Sequence, residues 1–185
     1  MTPTPAGEMR PLDDLHKRAA FSCGDPKLDE YFRFHAGQSM DRRTAAVWVW
    51  TRPPSQEAIG YYTLTSTEID AGSIPPEVTR KLKLKSPPRL GATLLGGFAI
   101  SSGLQRQGLG RMLCMHAFDM ALKASRMSSS VGVVLDAYSP GAKEFWKSME
   151  FTPMGEREGG MERFFLPMAY IEKLFRPHAN EERTQ

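Results

Sequence analysis

The chain has 185 residues, of which 41% are hydrophobic and 24% charged, an ordinary balance that excludes a disordered or fibrous protein and suits one compact domain. A formal net charge of +3 is too small to demand a polyanionic partner, and two cysteines, Cys23 and Cys114, are too few for a disulfide framework. No run approaches the ~20 apolar residues of a bilayer span, and residues 1–10 lack the basic start and apolar stretch of a signal peptide, so a cytoplasmic protein with no membrane contact is expected.

In chain order, residues 1–10 are rich in Pro, Thr and Gly and read as a disordered tail, as do the polar residues 176–185. Between them, 11–175 reads as a single domain. Asp25-Pro26 is an N-cap acid followed by proline at the first helical position, and Leu28, Tyr31, Phe32 and His35 follow at helical spacing. Residues 45–51 and 58–67 are β-branched and aromatic, which predicts two strands joined by the Arg52-Pro53-Pro54-Ser55 loop. A polar, basic segment spans 70–90. Residues 92–100 predict another strand, with Gly96 and Gly97 marking a bulge or a close ligand approach.

The most periodic segment starts at Gly108. Leu109, Met112, Leu113, Ala117, Met120, Ala121 and Ala124 form one apolar face, and Cys114, Phe118 and Leu122 add a second strip, so a long helix covered on most sides is expected. Residues 131–138 are nearly all apolar, as in a central strand. Ser139-Pro140 opens a helix through Met149 with Phe145, Trp146 and Met149 inward, and 163–168 reads as the last strand. Strand, helix, strand, helix across 92–149 implies at least one parallel crossover, hence an α/β fold.

Between the strand ending at Ile100 and the helix starting near Gly108 lies Gln105-Arg106-Gln107-Gly108-Leu109-Gly110-Arg111. A helix start offers unpaired backbone N–H groups and the positive end of the helix dipole, which together hold phosphate oxygens. Gly108 and Gly110 let the backbone come close to those oxygens, and Arg106 and Arg111 add charge. There is no Gly-Lys-Ser/Thr of a nucleoside triphosphate loop and no three-glycine dinucleotide fingerprint.

This arrangement resembles the GNAT N-acetyltransferases, whose acetyl-CoA motif runs Gln or Arg, two residues, Gly, one residue, then Gly or Ala. Gln105, Gly108 and Gly110 match it. The likeness extends over the preceding strand, 94–100, and over 136–151, which is similar to the family's strand, helix and closing Gly-Phe. It implies a mixed α/β GNAT fold, a central, mostly antiparallel sheet with one splayed parallel strand pair, flanked by helices. It also implies acetyl-CoA as co-substrate and no metal. Its phosphates would sit on the amides of Gln105, Arg106, Gln107, Gly108, Leu109, Gly110 and Arg111. Its pantetheine arm would pair with Phe98, Ala99 and Ile100, where strands 92–100 and 131–138 splay, and Ser139 and Phe145 would add contacts.

A narrower resemblance lies in Pro11-Leu12, His16, Phe21-Ser22-Cys23-Gly24, Leu28, Tyr31-Phe32 and Ala36, with Gly60-Tyr61-Tyr62-Thr63-Leu64 and Leu95-Gly96-Gly97-Phe98-Ala99-Ile100. These are similar to the GNAT toxins of bacterial toxin–antitoxin pairs, which implies acetylation of the α-amine of aminoacyl-tRNA and neutralisation by a small ribbon-helix-helix antitoxin. A homodimer stays open. So do two alternatives, a GNAT enzyme for a small-molecule or protein amine and a catalytically weak acyl-CoA-binding module. The chain departs from the toxin pattern at Trp146, where a Tyr serves as the acid, at Gly97, where many relatives carry Arg, and at Ser101, where an acid is common.

Amine attack on a thioester needs a neutral amine, a held oxyanion and a protonated leaving thiol. An α-amine has a reference pKa of ~7.7–8.0 and a thiol ~8.5, so neither demands a strong catalyst at neutral pH. The amides near Phe98, Ala99 and Ile100 could hold the thioester oxygen. An indole N–H is no proton donor of suitable pKa, so Tyr138 is the candidate acid, against the reading that it merely packs at a strand edge. Tyr61 and Tyr62 are further candidate acids, against core packing, and Glu68 is a candidate base acting through water, against a solvated side chain. Arg80, Lys81, Lys83, Lys85 and Arg89, with Arg42 and Arg43, form basic clusters that suit either a solvated loop or tRNA phosphates. His16, His35, His116 and His178 show no metal spacing, and no paired His identifies a covalent Cys mechanism.

Overall fold

The computed structural model describes residues 7–83 and 89–176. Its strands hydrogen-bond in the order β1-β2-β3-β4-β5-β7-β6. They are β1 Glu8–Pro11, β2 Ala46–Thr51, β3 Ala58–Asp70, β4 Arg89–Ile100, β5 Gly132–Ala137, β6 Thr152–Glu156 and β7 Glu162–Pro167. The helices are α1 Pro26–Glu30, α2 Ala36–Asp41, α3 Pro76–Leu82, α4 Leu109–Ser125, α5 Pro140–Ser148 and α6 Met168–Leu174. Val131 N donates to Gly91 O (2.9 Å), so the starts of β5 and β4 adjoin and the two strands run parallel across the α4 crossover. The remaining pairs whose register is resolved are antiparallel. This is the parallel crossover that the sequence patterning implies, in the mixed sheet that the resemblance implies. The chain divides into two compact units, one of Met1–Thr67 with Thr93–Ala117 and one of Glu68–Ala92 with Phe118–Gln185.

In the first unit, Asp25 caps α1, its carboxylate accepting from Lys27 N and Leu28 N. A π-helical turn, Tyr31–His35, links α1 to α2 and keeps Phe32 and Ala36 fully buried. Phe32 stacks on Tyr61 of β3 with centroids 4.1 Å apart and planes 5° apart. Phe21 meets both rings edge-on, at 4.9 and 5.6 Å. Val47 and Val49 of β2 and Ala99 of β4 complete this core. The unit also contains β1, although the first three of its residues carry a tail-like composition. Glu8 to Pro11 pair with Thr51 to Trp48, and the proline is tolerated because the strand lies at the sheet edge. Proline and glycine dominate the local composition there, but the pairing is set by β2, which lies far away in sequence.

The two strand glycines answer to β3. A Cβ on Gly96 would lie 2.7 Å from Thr63 Oγ1, and one on Gly97 would lie 2.9 Å from the Tyr61 ring. The close approach is therefore made by protein side chains. Helix α4 buries Leu109, Leu113, Cys114, Ala117, Phe118, Ala121 and Leu122, whereas Met112 and Met120 are half-buried and Ala124 is exposed. Of its seventeen residues only Arg111, Lys123 and Ala124 are exposed, so the helix is covered on most sides, as expected.

In the second unit, β7 pairs with both β5 and β6. Arg163 of β7 grips Asp136 of β5 through Nε (2.7 Å) and Nη2 (2.6 Å), and that hydrogen bonding raises the guanidinium above its ordinary pKa. Trp146 and Met149 of α5 point inward as expected, Phe145 only in part. Trp146 meets Phe151 edge-on at 5.3 Å, and Phe151 lies 5.9 Å from Phe118. β6 and α6 carry no clear signal. β6 contains Pro153 and Gly155, is largely exposed and is irregular between those residues, while α6 begins directly after β7 at Met168.

Replacing Phe32 by Ala should lower the unfolding free energy by about 3–5 kcal/mol in chemical denaturation. Replacing the exposed Phe34 in the same turn should change it by no more than about 0.5 kcal/mol.

Candidate functional site

β4 ends at Ile100, and Ser101 N continues the pairing to Ile59 O (2.9 Å). A short 3₁₀ turn, Ser102–Leu104, follows. Gln105 then places its side-chain Nε2 on two carbonyls, Cys23 O at 2.8 Å and Ile100 O at 2.9 Å. Its side-chain N–H groups are thereby spent on the protein, and its backbone N–H makes only a long contact of 3.5 Å to Ser102 O. Arg106 and Gly108 both take left-handed backbone, at φ 60° and 81°, and turn the chain into α4. Met112 N donates to Gly108 O, which opens the helical ladder. The N–H groups of Leu109, Gly110 and Arg111 precede that first rung and have no carbonyl partner within the helix.

The surroundings of these amides suit an anion. Arg106, Gln107, Gly108 and Arg111 are exposed, and no atom lies within 4 Å of where a Gly108 Cβ would be. Leu109 is only 2% exposed, so its side chain pins the helix start to the core while its amide stays at the mouth of the turn. Gln107 Nε2 donates to Gly103 O (3.3 Å) and stiffens the loop. A pyrophosphate would meet a row of amides, the positive end of α4 and two flexible guanidiniums. Phe98, Ala99 and Ile100 sit immediately upstream on β4, with Ala99 and Ile100 buried. The structure thus brings ten of the expected cofactor residues, 98–100 and 105–111, into one continuous strand–turn–helix of the first unit.

The other expected residues belong to the second unit. Tyr138 directly follows β5 and is 65% exposed. Ser139 is the N-cap of α5, its Oγ accepting from Ala142 N (3.2 Å). Phe145 lies edge-on to Trp146 at 4.8 Å. Trp146 itself is 6% exposed and belongs to the core.

Tyr61 is fully buried, its hydroxyl donates to Leu28 O (2.9 Å), and burial pushes its pKa up, so it is a packing residue. Tyr62 is also fully buried and hydrogen-bonds to His116 Nδ1 (2.8 Å), with Trp48 stacked over it. This Trp48, Tyr62 and His116 cluster draws on β2, β3 and α4, and no local spacing announces it. His16 is buried with Nδ1 2.8 Å from Asp13, His35 is exposed, and His178 lies outside the described residues. Among the described residues no group of His, Cys, Asp or Glu is placed to hold a metal. Burial pushes the Cys23 thiol up to about 11 and raises Cys114 as well, the reverse of an activated nucleophile.

Of the basic set, Arg80 and Lys81 end α3 and Lys83 caps it in left-handed backbone, all three exposed. Arg89 lies 3.5 Å from Glu68, both mostly exposed, a pair worth little in stability that nevertheless occupies Glu68. Lys85 lies outside the described residues. Arg42 and Arg43 follow α2 and are exposed.

No protein-family model matches the chain. It is 25% identical over 142 residues, 77% of its own length and 82% of the relative's, to a tRNA-acetylating toxin of Mycobacterium tuberculosis (strain ATCC 25618 / H37Rv). Among solved structures it is similar to AtaT complexed with acetyl-methionyl-tRNAfMet, with a TM-score of 0.81 and 27% identity over 92% of this chain and 99% of that one. It is also similar to AtaTR bound with acetyl-CoA, with a TM-score of 0.78 and 26% identity over 92% and 98%. The fold is that of the GNAT acetyltransferase toxins.

Substituting bulky residues at Gly108 and Gly110 should abolish acetyl-CoA binding in calorimetry while the far-ultraviolet circular dichroism keeps its native shape. A β-branched side chain at φ 81° forces the turn to move, and the amide row moves with it. Unchanged affinity in that variant would remove the turn from the site.

Proposed function

We propose that this chain is a toxin-type N-acetyltransferase that moves the acetyl group of acetyl-CoA onto the α-amine of aminoacyl-tRNA. The observation that carries the reading is the amide-lined turn at the start of α4, set in a fold that matches an AtaT–tRNA complex along nearly all of its length. A tRNA-acetylating relative aligned over most of both chains supports the acceptor.

In this reading the amides of residues 105–111 and the guanidiniums of Arg106 and Arg111 hold the phosphates. The thioester supplies an activated acyl group. Backbone N–H groups near Phe98, Ala99 and Ile100 hold its oxygen, and buried Ala99 and Ile100 keep water from that stretch. An α-amine, with a reference pKa of ~7.7–8.0, is neutral often enough at pH 7 to attack without a strong base. Tyr138 donates the proton to the departing sulfur. Trp146 cannot, because its indole is no acid and its ring is in the core. Ser139 contributes by capping α5, and Phe145 by apolar contact. Arg80, Lys81, Lys83, Lys85 and Arg89 contact tRNA phosphates. The protein works in the cytoplasm and is held in check by a small ribbon-helix-helix antitoxin; no helix among the described residues is long and apolar enough to cross a membrane. A homodimer is compatible with the reading.

Incubation with labelled acetyl-CoA and bulk charged tRNA should leave label on the amino acid esterified to tRNA. Label found only on small amines would overturn the tRNA assignment and keep the acetyltransferase. Tyr138→Phe should cut turnover at saturating acetyl-CoA by about 10²–10⁴-fold with little change in acetyl-CoA affinity. A fast variant would mean that bulk water protonates the thiolate.

Neutralising Arg80, Lys81 and Lys83 together should weaken tRNA binding and flatten its salt dependence by roughly 0.7–0.9 in log–log slope per lost phosphate contact. Acetyl-CoA affinity should not move. An unchanged slope would leave α3 a merely solvated helix.

A further inference from the structure

Asp29 of α1 is a carboxylate only 8% exposed, and the reaction has no direct use for it. Its Oδ1 accepts from Cys23 N at 2.8 Å and its Oδ2 from Ser22 Oγ at 3.1 Å. Burial acts to raise its pKa, yet the hydrogen bonds from Cys23 and Ser22 and the charge of Arg33 hold it below the ordinary carboxylate value. The loop it grips is fixed from the other side too, since Phe21 is buried and its carbonyl accepts from Arg33 Nε at 2.8 Å and from Nη2.

The carbonyls of that loop meet the segment leading into the phosphate turn. Ser22 O accepts from Ser102 N at 2.8 Å and from Ser102 Oγ at 2.9 Å. Cys23 O accepts from Gln105 Nε2 at 2.8 Å, and the same nitrogen reaches Ile100 O. An unbroken chain of hydrogen bonds therefore runs from Asp29 through Ser22 and Cys23 to Ser102 and Gln105. Gln105 precedes the two left-handed residues that aim the α4 amides.

We infer that Asp29 is a positioning residue for the acetyl-CoA turn, setting through Ser22 and Cys23 the carbonyls that hold Ser102 and Gln105 in place. This rests on the acetyl-CoA reading above. A group that acts by placing others changes affinity for what they hold more than it changes the chemistry, because bound ligand re-imposes the geometry once it saturates the site.

The test measures acetyl-CoA dissociation by calorimetry beside steady-state kinetics. Asp29→Ala should raise both Kd and KM for acetyl-CoA about tenfold and leave kcat at saturation within about twofold. Asp29→Asn should recover most of the affinity. Its Oδ1 can still accept from Cys23 N, and its Nδ2 can donate to Ser22 Oγ, whose hydroxyl turns to accept. Ser102→Ala should raise Kd severalfold in the wild-type chain and by less in the Asp29→Ala chain, as coupling through Ser22 requires. Additive effects, a loss in kcat with KM unchanged, or failure of Asn to rescue would overturn the positioning role. If Asp29→Ala does not fold, an unchanged Kd in Ser102→Ala alone overturns it. Failure of the wild-type chain to bind acetyl-CoA would defeat the underlying reading instead, a result distinct from all of these.

Discussion

One side-chain amide sets the direction in which the chain leaves β4. Gln105 Nε2 donates to the carbonyl of Ile100, where β4 ends, and to that of Cys23, far away in sequence. Two acceptors on one nitrogen leave the following residues little freedom, and the left-handed backbone of Arg106 and Gly108 then reverses the chain into α4. The helix starts with buried Leu109, and its first-turn amides come before any internal hydrogen bond. A helix start can hold an anion on unsatisfied donors only if the protein keeps other acceptors away. The open space beside Gly108 and the exposure of residues 105–108 meet that condition.

The support under this turn is aromatic on one side and polar on the other. Phe21 serves both. Its ring packs edge-on against Phe32 and Tyr61, and its carbonyl is held by Arg33. The loop that follows it presents backbone carbonyls to Ser102 and Gln105 instead of leaving them to solvent. Tyr61 closes the arrangement, with its ring in the stack and its hydroxyl on Leu28 O. A tyrosine used in this way is unavailable as an acid, because its proton is committed and its phenolate would be buried.

In the second unit the same division appears between neighbours. Trp146 supplies area to a cluster with Phe145 and Phe151, whereas Tyr138 stands exposed just past β5. Asp136, two residues before Tyr138, is gripped by both arms of the Arg163 fork, so the strand end from which Tyr138 departs is well fixed. In the proposed reading a donor at this exposed, rigidly rooted position has to do less than usual, because a thiolate is a modest base.

Much of the fold and part of the site were legible without coordinates, for a local reason. The Asp25-Pro26 start, the apolar run of β5, the periodicity of α4 and the glycine-bearing turn at 105–111 each express a preference that neighbouring residues suffice to encode. What needed the tertiary structure depends on residues distant in sequence. β1 hides in a proline-rich stretch because β2 supplies its pairing, and β6 hides because an exposed edge strand with Pro and Gly has no pattern of its own. Gly96 and Gly97 look like room for a ligand until Thr63 and Tyr61 are seen filling it. The Gln105 side chain, which no local spacing ties down, is found on Cys23 and Ile100. The sequence by itself determined where a phosphate could be held, since unpaired helix amides follow from chain order alone. The tertiary structure decided which side chains were left free to act there, because burial and hydrogen bonding are fixed by partners that no local spacing records.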